Sequence, residues 1–308
     1  MQAKLSVIMP AYNHEKFVGE AIEGVLNQTF TDFEFIIIDD GSQDATADVI
    51  KSYDDDRIHY FYQENQDAFN ALNNGMAKAR GDFWAILNSD DVYTPTRFEV
   101  LFEEQKKRDA HVLFTDVVPI SDASEELTDP NFGWNHWHQK NRDKYFQLND
   151  LYAAFLHGNF MVTTSNLFMS AEAAKHVGGF APLRYLHDYD YIFRLLLAYP
   201  QNSFYLDDKQ LLKYRIHGGN TLSEGAIKAR EQDQTVIRRY LLEGCSENIR
   251  PAIETGLDRL LALEHELLDV KAQLAATSSG LNTNETQAQT PHSLIQRIKN
   301  KISRSLQG

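Results

Sequence analysis

Two stretches of this 308-residue chain end an apolar run in adjacent carboxylates. Phe35-Ile36-Ile37-Ile38 leads into Asp39-Asp40-Gly41-Ser42, and Trp84-Ala85-Ile86-Leu87 leads into Asn88-Ser89-Asp90-Asp91. Like charges held side by side raise each other's pKa unless a cation neutralises them, so Asp90 and Asp91 invite one. Hard oxygen ligands select Mg²⁺ or Mn²⁺, and either ion neutralises the charge that develops on a leaving diphosphate. Asp39 and Asp40 can accept hydrogen bonds from ribose hydroxyls and from the imide or amide edge of a base. Both clusters also have a plainer explanation. Asp-Gly-Ser satisfies a turn without any ligand, and Asp90-Asp91 can be a polar turn before a helix that Thr94 caps and Pro95 opens. Asp44 and Thr46 are expected to start a helix rather than to touch a ligand.

The elements that must carry these residues read as an open α/β sheet. Apolar runs predict strands at 5–9, 33–39, 58–62, 83–87 and 112–118, with helical patterns at 17–27, 46–53, 68–79 and 96–108 between them. The nearly continuous apolar runs at 33–39 and 83–87 suit strands buried on both faces. In such sheets ligands bind beyond the carboxyl ends of the strands, which places both acidic clusters over one crevice. Residues 119–150 are polar and aromatic without clean periodicity and read as a long loop or insertion. After them the pattern predicts structure at 151–156, a strand at 165–169, helices at 170–176 and 189–199, and strands near 204–206 and 211–215.

With 43% hydrophobic and 24% charged residues the chain can bury a full core. A formal charge of -14 argues against nucleic acid as a partner, since phosphate-backbone binding needs a basic surface. The single cysteine, Cys245, permits no intrachain disulfide and no Cys-based zinc site, which fits a reducing compartment. The apolar run after one N-terminal lysine is short for a signal-peptide core, and no segment approaches the roughly 18 apolar residues of a bilayer span. The expected location is the cytoplasm, with peripheral attachment to the inner membrane face as an alternative.

Four stretches in order carry a resemblance: Ser6-Val7-Ile8-Met9-Pro10-Ala11-Tyr12-Asn13; Ile38-Asp39-Asp40-Gly41-Ser42-Gln43-Asp44-Ala45-Thr46; Ala71-Leu72-Asn73-Asn74-Gly75 with Ala79-Arg80-Gly81-Asp82; and Asn88-Ser89-Asp90-Asp91. Together they resemble the inverting glycosyltransferases of family 2. That resemblance implies the GT-A fold, an open mixed sheet flanked by helices with a Rossmann-like nucleotide-binding half, here followed by a C-terminal helical extension. It also implies a nucleotide-sugar donor, most often UDP-linked, and a glycan or lipid-linked acceptor. Pro10, Tyr12 and Asp39 would line the base and ribose site, and Asn13, Asp40 and Asn73 in the same stretches are counted with them as donor contacts. Asp90 would contact the sugar-nucleotide and Asp91 would hold the metal.

An acceptor hydroxyl attacking an anomeric carbon must lose its proton, so a base is needed. Asp188, in Leu186-His187-Asp188-Tyr189-Asp190, stands where the family carries its base just before a helix, although His187 replaces the usual acidic neighbour. Its competing role is an N-cap, and Asp190 is the fallback base. Gly178-Gly179-Phe180 resembles the acceptor-side turn. In Tyr214-Arg215-Ile216-His217, His217 can complete a Mn²⁺ shell or be purely structural, and Arg215 can pair with phosphate oxygens.

The expected organisation is a catalytic domain at 1–222, a helical region at 223–276, a polar linker at 277–291 and a basic tail at 292–308. Leu260, Leu263, Leu267, Val270 and Leu274 alternate spacings of three and four, as in a short coiled coil that would make homo-oligomers, or in a helix packed on its own domain. Residues 293–306 form a basic, acid-free amphipathic pattern that suits an anionic membrane surface, a protein partner or solvent. Rival enzyme classes lack their signatures. Pro10-Ala11-Tyr12-Asn13 stands where a dinucleotide enzyme needs Gly-x-Gly-x-x-Gly, and neither a Walker loop nor the basic Gly-rich loop of nucleotidyltransferases is present. A catalytically inactive scaffold of the same fold is the remaining alternative.

Overall fold

Alternate residues of the first strand face two different cores, and this fixes the layering. In β1 (Leu5–Ala11) Leu5, Val7 and Met9 pack into one apolar cluster while Ile8 packs into another. The next strand, β2 (Phe33–Asp39), is likewise buried along its whole length. Helices therefore cover both faces, as the continuous apolar runs require. The computed structural model describes residues 3–218 and 226–281.

The remaining elements are α1 (Val18–Leu26), α2 (Thr46–Lys51), β3 (Ile58–Tyr62), α3 (Ala68–Lys78), β4 (Phe83–Ile86), β5 (Val92–Tyr93), α4 (Arg97–Arg108), β6 (Val112–Ile120), α5 (Gly133–Leu148), α6 (Leu151–His157), β7 (Phe168–Ser170), α7 (Ala171–Val177), α8 (His187–Ala198), β8 (Ser203–Arg215), α9 (Ala226–Glu243) and α10 (Arg250–Leu281). The strands form one eight-stranded sheet in the order β3-β2-β1-β4-β7-β6-β8-β5. Strands β1 to β4 are mutually parallel, β7 runs antiparallel between β4 and β6, and β8 is parallel to β6 and antiparallel to β5. This is the open mixed α/β sheet expected.

Four expectations change. Residues 119–150 are not a loop: β6 runs to Ile120 and α5 fills 133–148. Only His138 and Asn141 of α5 are buried, so its inward face is polar and leaves no hydrophobic period. It is tied down by Arg142 to Asp116 at 3.0 Å and by Trp134 stacked on Tyr214. The two short strands expected near 204–206 and 211–215 are one strand, β8, with a bulge between Leu206, which pairs with Thr115, and Gln210, which pairs with Asp116. Helix α4 begins at Arg97 after Thr96, not at a Thr94 cap, and Thr96 makes no side-chain cap bond. Finally, the expected strand at 165–169 is a short 3-10 turn, Thr164–Asn166, followed by β7.

The contacts divide the chain after Gly244 into two units. Helix α9 belongs to the first, where Tyr240 is buried, stacks on Phe193 and donates to Asp190 Oδ1 at 2.7 Å. The second contains α10, which continues to Leu281 across the polar composition that starts at 277. Most of that polar stretch and the basic segment 293–306 lie outside the described residues, as does 219–225. Among the described residues no helix is long and apolar enough to cross a membrane.

Candidate functional site

Beyond the carboxyl ends of the parallel strands lies a cleft of about 840 Å³. Pro10, Tyr12 and Asn13 line it from the end of β1, Asp40 from the end of β2, and Asp90 from the loop after β4. Asn13 takes the left-handed conformation (φ 51) and ties two turns together: its Oδ1 accepts from Gln43 N at 2.8 Å, and its N donates to Ser42 Oγ at 3.1 Å. Gly41 (φ 79) makes the Asp-Asp-Gly-Ser turn possible, because a Cβ there would sit 2.8 Å from Asn65 N.

The two carboxylates of that turn have different fates. Asp39 is fully buried and does not line the cleft; Tyr60 Oη donates to Oδ2 at 2.8 Å and Ser42 N to Oδ1 at 2.9 Å. The carboxylate that reaches the cleft is Asp40. Burial raises its pKa above the ordinary value, against the donors Gln66 N and Gln63 Nε2. Asn73, expected beside the nucleotide, instead clips α3 to the Gly179-Phe180 turn: its Nδ2 donates to Phe180 O at 3.0 Å and its Oδ1 accepts from Phe180 N at 2.7 Å.

The same split divides Asp90 from Asp91. His217 Nε2 lies 3.0 Å from Asp90 Oδ2, and the ligand-capable atoms of His14, Asp90 and His217 all lie within 4.8 Å of one another. Burial opposes ionisation of Asp90, yet the His217 hydrogen bond and the charges of His14 and His217 outweigh it and hold the carboxyl below its ordinary value. Two imidazoles and one carboxylate form a donor set that suits Mn²⁺ better than Mg²⁺, which prefers oxygen ligands throughout. His14 is further oriented by Ser89 Oγ, 2.8 Å from its Nδ1.

Asp91, expected to be the metal ligand, is outside this group. It is 1% exposed and both its oxygens accept internal hydrogen bonds, Oδ1 from Arg215 N at 2.9 Å and Oδ2 from Ser165 Oγ at 2.5 Å. Burial, then the neighbouring charge of Asp90, pushes its carboxyl well above the ordinary value. Asn88 joins the same hydroxyl ladder: its N donates to Ser165 Oγ, its Nδ2 to Thr163 Oγ1, and its Oδ1 accepts from Thr164 Oγ1. Asp91 thus anchors the loop that presents Asp90. Immediately before the ladder, Val162 sits at φ 78, a conformation β-branched residues avoid.

Arg215, expected to pair with phosphate oxygens, does not line the cleft. Its side chain is fully buried, donating to Asp90 O (2.8 Å), Ser121 O (2.9 Å), Ser124 Oγ (2.9 Å) and Glu20 Oε2 (2.5 Å), with its guanidinium over the Phe17 ring. It clamps α1, the segment after β6 and the Asp90 loop together. Removing a buried charge partner of this kind costs about 3–5 kcal/mol, so Arg215→Ala is expected to lower the urea midpoint strongly. Arg215→Lys should restore little, because one ammonium cannot reproduce a planar fork. Full stability in the lysine variant would refute the clamp.

Asp188 lies in the first turn of α8, two residues past the position its N-cap reading needs, since Leu186 is the N-cap residue. Its Oδ2 accepts from Asn159 Nδ2 at 2.8 Å and its Oδ1 from Tyr189 N at 2.8 Å. Burial raises its pKa, opposed by His187, Asn159 and Tyr189. Burial, followed by the charges of Asp91, Asp90 and Asp188, pushes the Tyr214 hydroxyl far up. Asp188 itself is buried and does not line the cleft, whereas its neighbour His187 does. Asp190, the fallback base, is held between Arg194 at 2.9 Å and Tyr240 Oη at 2.7 Å.

The cleft also holds residues that motif reading missed. His14 was hidden because a lone histidine after Pro10-Ala11-Tyr12-Asn13 has no spacing signal; only folding brings it to His217, with ring centroids 5.7 Å apart. Lys16 and the Arg184–Asp67 pair also line the cleft.

The family model described as Glycosyl transferase family 2 matches residues 6–169. The chain is similar to an uncharacterized glycosyltransferase of Rickettsia typhi, 31% identical over 244 residues that make up 74% of this chain and 69% of that protein. In fold it is similar to S. aureus TarS 1–349 in complex with UDP-GlcNAc, with a TM-score of 0.61 at 18% identity over 80% of this chain and 69% of that one. It is similar also to the mannosyltransferase PcManGT from Pyrobaculum calidifontis in complex with GDP-Man and Mn²⁺, with a TM-score of 0.59 at 14% identity over 98% and 81% of the two chains. The sheet order, the cleft at its strand ends and the match across β1 to β7 converge on one conclusion: this chain belongs to glycosyl transferase family 2.

Proposed function

We propose that the chain transfers a sugar with inversion from a nucleotide-diphosphate sugar, UDP-linked in the first instance, to an acceptor hydroxyl of a glycan or lipid-linked glycan during assembly of a bacterial surface polysaccharide. The observation that carries this reading is the His14, Asp90 and His217 group at the edge of the cleft. About 840 Å³ is ample for a nucleotide-sugar. A divalent ion held by these three side chains would supply Lewis-acid neutralisation of the diphosphate. Lys16 and Arg184 would add charge along the phosphates, and Tyr12, 43% exposed, would offer a ring face to the base. Asp40 would take the ribose hydroxyls. Asp188 would accept the acceptor's proton as the new C–O bond forms and the bond to the diphosphate breaks.

The basic composition of 293–306 supports an acceptor at the cytoplasmic face of the membrane. A thermal-shift series with UDP-sugars and GDP-mannose tests the donor class. A ligand at a hundred times its Kd raises stability by about 2.7 kcal/mol, a shift of roughly 5–10 °C for a domain of this size. At least one nucleotide-sugar should give that shift with Mn²⁺ and less without it. No shift with any donor, with or without Mn²⁺, would favour the inactive scaffold instead.

A further inference from the structure

Helix α10 is 32 residues long, about 48 Å at 1.5 Å per residue. It carries a row of leucines that the described residues leave exposed: Leu260 is 64% exposed, Leu263 50% and Leu267 53%. Ile253, Leu260, Leu267 and, in sequence, Leu274 and Leu281 recur every seven residues, with Leu263 and Val270 three residues after the second and third of them. These are the a and d positions of a coiled coil. The charges beside the seam select the partner. Arg259 and Glu266 occupy g positions, while Glu264 and Lys271 occupy the e positions five residues further on, and all four side chains are exposed.

In a parallel, in-register pair, g of one helix meets the following e of the other. Arg259 then meets Glu264 of the other copy and Glu266 meets its Lys271, opposite charges both times and each pairing twice by symmetry. An antiparallel pair that keeps Leu260, Leu263, Leu267 and Val270 stacked would instead set Glu264 against Glu264 and Glu266 against Glu266. We propose that α10 is a self-association helix whose occupant is a second copy of this chain, parallel and in register. Gly256 at an intervening d position leaves the first turns weakly packed, so the contact is centred on residues 260–274 and is concentration-dependent.

The test uses the full chain. Sedimentation equilibrium should show mass rising above the monomer with concentration, and Lys271→Glu, which opposes Glu266 with a like charge, should weaken it by about tenfold or more. Adding Glu266→Lys to that variant should restore association. Orientation is read with Cys245→Ser as background: under glutathione disulfide, Leu263→Cys should oxidise to a chain-to-chain disulfide, two thiols giving one S–S bond and reduced glutathione. Asp258→Cys, on the outer face, should not. A monomeric mass at every concentration overturns the proposal; oligomers without the Leu263→Cys bridge overturn the parallel register; and an unchanged Lys271→Glu variant overturns the role of charge.

Discussion

Asp90→Asn is expected to reduce transfer by about a thousandfold and to raise the Mn²⁺ concentration needed for half-maximal activity, because it removes the one anionic member of the His14, Asp90 and His217 group. Electrostatic neutralisation of a leaving diphosphate is among the largest single contributions a site of this kind can make, and two neutral imidazoles hold a cation without cancelling its charge. The informative comparison is Asp91→Asn. Because Asp91 accepts from Arg215 N and Ser165 Oγ inside the fold, its replacement is expected to lower stability by about 1–3 kcal/mol and to leave the Mn²⁺ dependence of the folded enzyme close to wild type. Measuring Mn²⁺ titrations of activity beside urea midpoints separates the two residues. The reverse result, with metal dependence moving only in the Asp91 variant, would return the metal to Asp91.

The second large effect is at Asp188. Loss of a general base typically removes a factor of about 10² to 10⁴, so Asp188→Asn should cut transfer by that range while the donor-induced thermal shift stays as in wild type. The pH behaviour follows from its direction of shift. Burial places the folded pKa above the ordinary 3.8, so the acid limb of activity in wild type should lie above that value, and any residual activity of the variant should lose that limb. Stability runs the other way. A group whose folded pKa exceeds its unfolded value binds protons more tightly in the native state, so its stabilising contribution is present below the unfolded value and declines as pH rises through the folded one. Wild type should therefore lose stability relative to Asp188→Asn across that window. An Asp188→Asn enzyme with undiminished transfer would remove it from the chemistry.

The parallel half of the sheet was legible because β1, β2 and β4 are almost wholly buried and so appear as nearly continuous apolar runs, interrupted only by Ser6 and Glu34 before the terminal Asp39. Helix α5 was not, since what it buries is His138, beside Asp116, and Asn141, polar groups without a hydrophobic period. In the site, adjacency in sequence showed that Asp39-Asp40 and Asp90-Asp91 stand at strand ends, and the cleft is where they imply. Which member of each pair faces it depends on partners far along the chain: Tyr60 holds Asp39 inward, and Ser165 with the backbone of Arg215 holds Asp91. Arg215 misled for a related reason. An arginine two residues from a histidine looks like a phosphate ligand, yet the carbonyls that surround it belong to Asp90, Ser121 and Asp122, 93 to 125 positions away in sequence.

Val162 has a bearing on the order in which the site comes into being. Its left-handed backbone opposes the intrinsic preference of a β-branched residue by roughly 1–3 kcal/mol. The residues that follow it, Thr163 and Ser165, place their hydroxyls against Asn88 and Asp91. Left to itself, the segment around Val162 would not choose this shape; it is imposed by neighbours that β4 has already positioned. A loop held in this way is expected to loosen before the sheet that supports it, so in a urea titration activity should fall at a lower concentration than the far-ultraviolet circular dichroism; coincident transitions would refute this.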